Sequence, residues 1–377
     1  MSIAGIHSLY HITKGGSQKY FEEVIGYLSQ YYPEKYFHII SSNNKLSNIT
    51  RELNNNIIHH QLPSIFLKKY NASIPIFNSI YFLKLDKRYN FLIKHIHSPI
   101  FPLSQEISFY NMLIKNGKTI ITMHSSYSAL KNYMLKKYEK FVRRIIIPYM
   151  LIKSEYITVI SRYLKNYLIY NYSIPEEKIS VIPNSIKVED FIINIKYKNN
   201  EAITLGYVGR LTQGKNIESL LYAFKNIRKY SDVKLLIVGD GPMKKYLMNL
   251  VKILKIDPYV IFMGYRTDIP NILSMIDIFC HIHRETGVPT SILEAMAAGK
   301  PLIVSNTESM KEIIPEKGGY FVDPNNIKDI SDSIIKLTVD MNSRKEMGEL
   351  NKKTCINNYS LEKNFNIFLE LYKKILA

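Results

Sequence analysis

The feature that most constrains this chain is a repeated alternation of short β-rich runs with helical patterns along nearly its whole length. A β-run followed by an amphipathic helix and another β-run reads as a βαβ unit, and such units in series build a parallel sheet. In the first half the pattern is "GIHSLYHI" before "SQKYFEEVIGYLSQYY", "FLIKHIHSPI" before "SQEISFYNMLIKNG", then "KTIITMHSS", "YITVIS" before "RYLKNYLIYN", and "KISVIP". A polar stretch at 196–202, "KYKNNEA", interrupts it where a linker would fall. The alternation then restarts with strands "AITLGYVG", "VKLLIVGDG", "VIFMGY", "IFCHIH", "PLIVSN" and "GGYFVDP". Between and after them come helices that include "NIESLLYAFKNIRKY", "PMKKYLMNLVKILKI", "IPNILSMID", "PTSILEAMAAG" and "LEKNFNIFLELYKKILA".

The expected class is α/β with two doubly wound domains, 1–195 and 196–360, followed by a terminal helix at 361–377. A chain of 377 residues is long enough for each half to bury its own core. Hydrophobic residues at 46% and charged residues at 22% exclude a disordered chain. No run of eighteen apolar residues occurs, and the amino terminus lacks the zones of a signal peptide, so the expected compartment is the cytoplasm. The two cysteines, Cys280 and Cys355, form no CxxC pair and have no histidine set at ligand spacing, which argues against disulfides and structural zinc.

Charge is unevenly distributed. Lys and Arg outnumber Asp and Glu by 50 to 32, and residues 1–190 hold 24 against 12, so most of the excess lies in the first half. That half is expected to meet something acidic. Nucleic acid is one such partner, but no helix-turn-helix, zinc-finger or RNP-like signal accompanies the charge. An anionic membrane or a phosphate-bearing acceptor explains the same asymmetry. Residues 130–153 interleave Lys136, Lys137, Lys140, Arg143 and Arg144 with apolar and tyrosine side chains, as a surface helix on a membrane would. A solvated helix face reads the same way.

Three segments of the second half carry chemistry. In "GYVGRLTQGKNIESLL", 206–221, a strand gives way to glycines, and Arg210 and Lys215 precede a helix. A helix amino end and two cations together suit a diphosphate, although both residues could equally be surface charges. In "VGDGP", 238–242, the glycines suit a tight turn, Pro242 a helix start and Asp240 a helix cap, so the duty read here is structural. In "HRETGVPTSILEAMAAGKPLIVSN", 283–306, Gly287 permits close approach and Pro289, Thr290 and Ser291 open a helix. Glu294 falls one turn after Thr290, on the side of that amino end, while Ile292, Leu293, Met296 and Ala297 form the apolar face.

Taken in order, these segments resemble glycosyltransferase family four, the retaining group 1 type with the GT-B fold. "GRLTQGKN" resembles its G-R-x-x-x-x-K-G segment, "VGDGP" its V-G-x-G-P turn, and "ETGVPTSILEAMAAGKP" its E-x7-E element followed by A-M-A-x-G-x-P. The resemblance implies two Rossmann-like domains facing across a cleft, with the last helix crossing back to the first domain. It implies that the first domain binds the acceptor and the second the nucleotide sugar. Arg210 and Lys215 would hold and stabilise the leaving diphosphate beside Gly209, Glu294 would bind the ribose hydroxyls, and backbone N–H groups near Gly287, Thr290 and Ser291 would help hold phosphate. Tyr265 and Arg266 stand where the family places the base, and Glu285 stands in for the glutamate that touches the transferred sugar.

One departure concerns that glutamate. Glu285 lies nine positions before Glu294 rather than eight, so Thr286 takes the family position in an ungapped register. In the first domain, Gly15 and Gly16 of "HITKGGSQKY" resemble the family's Gly-rich turn, and His124 of "TMHSSYS" the histidine beside the donor sugar. "KISVIPNSI" resembles a late strand of that domain, with Ser185 in place of the usual glycine after Asn184. His97 ends a strand and reads as a side chain without chemistry. His281 and His283 share one face of a strand without a third ligand, so a metal is not expected.

The reaction so implied moves a hexose from a nucleoside diphosphate sugar, a UDP-sugar among the candidates, to a hydroxyl of a glycan or lipid-linked acceptor. It retains anomeric configuration, uses neither cofactor nor metal, and lets the leaving phosphate deprotonate the acceptor. The setting is the cytoplasm or the inner face of the membrane. A sugar-nucleotide epimerase of the same architecture and a basic nucleic-acid-binding protein are the alternative readings.

Overall fold

The structure is a computed structural model that describes residues 2–7, 16–41, 56–61, 84, 88, 91–97, 117–124, 145, 147–193, 202–229, 232–284 and 287–377. Two units divide the chain: Met1–Asn184 with Asn364–Ala377, and Ser185–Lys363. The sequence puts the border at 195/196, at the polar stretch, whereas contacts put it eleven residues earlier. The reason is apolar: Ile186, Val188 and Phe191 are buried in the core of the second unit, and Ile186 exchanges backbone bonds with Tyr359 and Leu361.

In the first unit the described elements are β1 (Ser2–His7), α1 (Gly16–Tyr31), β2 (Tyr36–Ser41), β3 (Ile57–Gln61), β4 (Phe91–His97), β5 (Lys118–Met123), α2 (Ile147–Lys153), β6 (Tyr156–Val159), α3 (Arg162–Tyr172) and β7 (Ile179–Val181). The seven strands form one parallel sheet in the order β3-β2-β1-β4-β5-β6-β7. β2 and β3 escape the sequence reading; in β3, "IIHHQ" carries too many polar residues to read as a buried run. The expected helix at 104–117, except for Gly117, and the basic run at 136–144 lie outside the described residues. α3 begins where Ser161 Oγ accepts the Leu164 N–H at 3.2 Å and ends at Ser173 in the left-handed region, which closes both ends of the helix.

The last helix, α11 (Leu361–Leu376, numbered after those of the second unit), belongs from Asn364 onward to the first unit. Phe365, Phe368, Leu369, Tyr372 and Ile375 are buried at helical spacing, and a stripe of that kind drives docking. Asn364 Nδ2 donates to the Pro183 carbonyl at 2.9 Å, and the Lys118 ammonium to the Ile375 carbonyl at 2.8 Å.

The second unit comprises β8 (Ile203–Val208), α4 (Ile217–Ile227), β9 (Val233–Val238), α5 (Lys244–Ile253), β10 (Val260–Gly264), α6 (Ile269–Ser274), β11 (Ile278–His281), α7 (Thr290–Ala297), β12 (Leu302–Ser305), α8 (Glu308–Ile313), β13 (Gly319–Val322), α9 (Ile327–Val339) and α10 (Met341–Asn358). Its six strands are parallel in the order β10-β9-β8-β11-β12-β13. Strand order reverses between β8 and β11, and a crevice outside the carboxyl ends of strands at such a reversal is where open α/β sheets take ligands.

Candidate functional site

β8 is β-branched and aromatic enough to be a buried strand, and it ends at that reversal. Tyr207, almost fully buried, donates its hydroxyl to the Arg210 carbonyl at 2.9 Å and so fixes the turn that follows. Leu211 is buried under the turn, which leaves the Arg210 side chain exposed and Lys215 half-buried at the end of a single 3-10 turn, Gln213–Lys215. Asn216 then adopts the left-handed region (φ 51°), its amide donating to the Pro324 carbonyl at 2.7 Å and its Oδ1 accepting from Ser219 Oγ at 2.9 Å. The sequence reading missed Asn216; its cue was an Asn directly before the helix, since asparagine tolerates this conformation better than most residues. Arg210 and Lys215 therefore reach α4 across a built turn, not a loose loop.

The "VGDGP" turn holds the Arg210 turn from the side. Gly209 N–H donates to the Val238 carbonyl and Leu211 N–H to the Asp240 carbonyl, both at 3.0 Å, and Met243 N–H returns to the Leu211 carbonyl at 3.0 Å. Gly239 sits at φ +137°, and a Cβ there would collide with the Gly209 carbonyl, so the two turns approach as only glycine allows. Asp240 is not a helix cap. It accepts from its neighbour's Gly241 N–H at 2.7 Å and from Lys244 Nζ at 3.1 Å, and these bonds, Lys244 first, hold its carboxyl below the usual range.

α7 brings the third segment to the same end of the sheet. Pro289 precedes it in extended conformation, Ser291 is buried, and Ile292, Leu293, Met296 and Ala297 anchor it in the core. Thr290, Glu294 and Gly287 are half-buried. Arg284 N–H donates to the Gly214 carbonyl at 2.9 Å, which ties the segment after β11 to the turn that carries Lys215. Beyond β10, Tyr265 is exposed, and Arg266 makes two hydrogen bonds to Asp268, at 2.8 and 2.6 Å, which keep the guanidinium charged and the Asp268 carboxyl below its usual range. Glu285 and Thr286 lie outside the described residues. The second unit thus brings Arg210, Lys215, Gly209, Gly287, Thr290, Ser291 and Glu294 to the carboxyl ends of β8 and β11.

Two histidines between these segments are joined. His281 Nδ1 lies 3.2 Å from His283 Nδ1, and His283 Nε2 lies 3.0 Å from the Gly287 carbonyl. Among the described residues no group of three His, Cys, Asp or Glu side chains is placed to hold a metal ion. Burial first, then the neighbouring His283 and the Lys215 charge, keep His281 neutral well below the ordinary imidazole range. Cys280 and Cys355 are buried free thiols pushed up to about 12, far from the reactive thiolate range.

In the first unit, His124 follows β5 directly. Burial lowers its pKa to about 4 against a hydrogen bond with Asn184 that raises it. His95 on β4 is hydrogen-bonded to Tyr372 Oη at 2.9 Å and to Thr122 Oγ1 at 2.6 Å, and Thr122 to Thr158 at 2.6 Å. Burial, with His124 nearby, lowers His95 to about 3. The sequence reading passed over His95 and Tyr372, which lie more than 270 residues apart and gave no local signal. His97 closes β4, Gly16 opens α1, and Gly15 lies outside the described residues.

Two parallel sheets, each with one strand-order reversal, define a GT-B protein of two Rossmann-like units. The sucrose-phosphate synthase structure from Thermosynechococcus elongatus superposes on all of this chain and all of its own with a TM-score of 0.82 at 17% identity. Residues 12–190 match the model of Glycosyltransferase Family 4 and residues 188–354 that of Glycosyl transferases group 1. The chain belongs to this family of glycosyltransferases. An uncharacterized glycosyltransferase of Methanocaldococcus jannaschii is 25% identical over 281 residues, 70% of this chain and 68% of that protein. The UDP-Gal:alpha-D-GlcNAc-diphosphoundecaprenol alpha-1,3-galactosyltransferase of Escherichia coli is 30% identical over 217 residues, 52% of this chain and 54% of that one. The chain thus spans about half to two thirds of the length of these curated relatives.

Proposed function

We propose that this glycosyltransferase moves a hexose from a uridine diphosphate sugar to a hydroxyl of a lipid-linked glycan, with retention at the anomeric carbon. The observation that carries the donor half is the pair Arg210 and Lys215, set on a turn clipped by "VGDGP" at the strand-order reversal and tied through Arg284 to the segment after β11. Exposed and half-buried cations held on a fixed backbone stabilise charge as it develops on a leaving diphosphate, and here they take the place of a metal. Glu294, one turn into α7, is assigned to the ribose hydroxyls, and the N–H groups at Thr290 and Ser291 to phosphate. Tyr265 and Arg266 are assigned to the base. His124 is assigned to the side of the donor sugar, where burial keeps its ring neutral at pH 7.

The acceptor half leans on the Escherichia coli relative, whose name gives a diphosphoundecaprenol acceptor, and on the 24 to 12 excess of basic residues in 1–190. Such a chain would work at the inner face of the membrane, its basic surface drawn to anionic lipid. No helix among the described residues is long and apolar enough to cross a membrane.

The test is turnover across nucleotide sugars with an undecaprenyl-diphosphate-linked acceptor, with and without excess chelator. One uridine diphosphate sugar should release its diphosphate and leave an axial linkage, and chelation should leave the rate within about twofold, since two cations supply the charge stabilisation. Complete loss on chelation, restored by a divalent ion, would overturn the role given to Arg210 and Lys215. Release of an epimeric sugar nucleotide without acceptor would replace the transferase by an epimerase.

A further inference from the structure

Beneath the two turns that flank the strand-order reversal lies a set of ring side chains to which the donor reading gives no task. The Tyr207 ring lies 5.1 Å from that of His281, which lies 5.0 Å from that of His283. Both histidines are fully buried. Their hydrogen bonds fix where each proton sits. The Gly287 carbonyl can only accept, so His283 carries its proton on Nε2, and as a neutral ring it presents a bare Nδ1. His281 must then donate from Nδ1 across the 3.2 Å gap, which leaves its own Nε2 bare.

That nitrogen is buried without a hydrogen-bond partner and faces the Gly209 turn, 3.5 Å from where a Cβ at Gly209 would lie. A buried polar atom left unsatisfied is a cost that calls for a reason. The reason here is the bond on the other side of the ring. With the His281 proton on Nε2, two bare Nδ1 atoms would face each other, and His283 would lose its partner at Nδ1. A further proton on His283 would go to Nδ1 and set two N–H groups head to head, while a further proton on the bare Nε2 of His281 is opposed by burial, by the neighbouring His283 and by the Lys215 charge.

Both ends of this chain sit on turns of the candidate donor site. Tyr207 Oη donates to the Arg210 carbonyl at 2.9 Å, and His283 Nε2 donates to the Gly287 carbonyl at 3.0 Å. The main chain of His283 is fixed as well, its carbonyl accepting from Ser305 Oγ at 2.6 Å. We propose that His283, whose bare Nδ1 is met by the His281 N–H, is a positioning residue that holds the Gly287 carbonyl in register with the Arg210 turn, so that the amino end of α7 meets the donor diphosphate already aligned. The proposal rests on the nucleotide-sugar reading given above. Neither histidine is assigned contact with the substrate. Preorganisation of this kind acts on donor binding and leaves the chemical step alone.

The experiment is calorimetric titration with uridine diphosphate, together with the kinetics of diphosphate release, for wild type, His283→Ala, His283→Gln and Arg210→Ala, each scaled to its folded fraction. His283→Ala leaves a buried carbonyl unpaired and should weaken uridine diphosphate about tenfold, raising donor KM by a like factor with kcat within about twofold. His283→Gln keeps an N–H near the Nε2 position and should recover to within about threefold of wild type. The same contrast is read again at His281, where Asn keeps an N–H near the Nδ1 position and Leu does not. Folded His283→Ala that binds as wild type does, or His283→Gln as weak as His283→Ala, overturns the proposal alone. Wild type that binds no nucleoside diphosphate overturns the donor reading as well.

Discussion

In both sheets the first strand in sequence lies inside, the next two step to one side and the remaining strands step to the other, so β1 and β4 flank one reversal and β8 and β11 the other. Near the first, the imidazole of His95 has both ring nitrogens hydrogen-bonded, one by Tyr372 of the terminal helix and one by Thr122. Near the second, His281 keeps one ring nitrogen without a partner, and the turn after β8 carries Arg210 into solvent. A buried imidazole is thus satisfied by the terminal helix in one unit, and in the other stays partly unsatisfied near a turn that bears an exposed cation. Winding alone therefore does not make a binding site. What makes one is whether backbone turns and cations at the strand ends are left for a ligand to satisfy.

Three measurements press on that contrast. The largest effect is expected where the second reversal is stripped of charge: Arg210→Ala should cut kcat/KM for the donor by about 10²–10³, with the thermal midpoint unchanged because the side chain is exposed. A loss under tenfold would place the diphosphate elsewhere.

The next effect is shared by the two units. His95, His124 and His281 all have pKa values below the unfolded value of 6.5, about 3 and about 4 for the first two. The unfolded chain takes up protons as pH falls through 6.5 while the folded chain does not, so stability is full above that value and is lost below it. The loss continues down to the folded values near 4 and 3. The slope is about 1.4 kcal/mol per pH unit for each such histidine at most. Urea midpoints at pH 7, 6 and 5 should decline more steeply with each step, and His124→Asn should soften the decline. A midpoint constant over that range would mean that these rings are as accessible to protons folded as unfolded.

The smallest effect tests the first reversal. Tyr372→Phe removes the hydroxyl from His95 and should cost about 1 kcal/mol of stability, with donor KM unchanged in the folded protein. A change in donor KM would show that the terminal helix does more than satisfy His95.

Much of this was legible in advance. The alternation of β-runs and helices located eleven of the thirteen described strands, and the Arg210 and Glu294 segments were found from glycines, cations and a carboxylate at helical spacing. β3 was missed because an edge run such as "IIHHQ" lacks the apolar density that marks a buried strand. Asp240 was read as a cap because a carboxylate before a helix usually is one, but here Gly241 N–H and the Lys244 ammonium engage it first.

The sequence by itself determined the class, the winding of two parallel sheets and the family, because hydrophobic periodicity and short glycine-containing motifs are local patterns. Only the tertiary structure decided that Ile186, Val188 and Phe191 belong to the second unit, that the terminal helix meets the first sheet through Tyr372 and His95, and that His281 and His283 are joined in one hydrogen-bonded chain to the Gly287 carbonyl. Each of these depends on which faces and strand ends packing brings together, and burial and hydrogen-bond partners are settled only there.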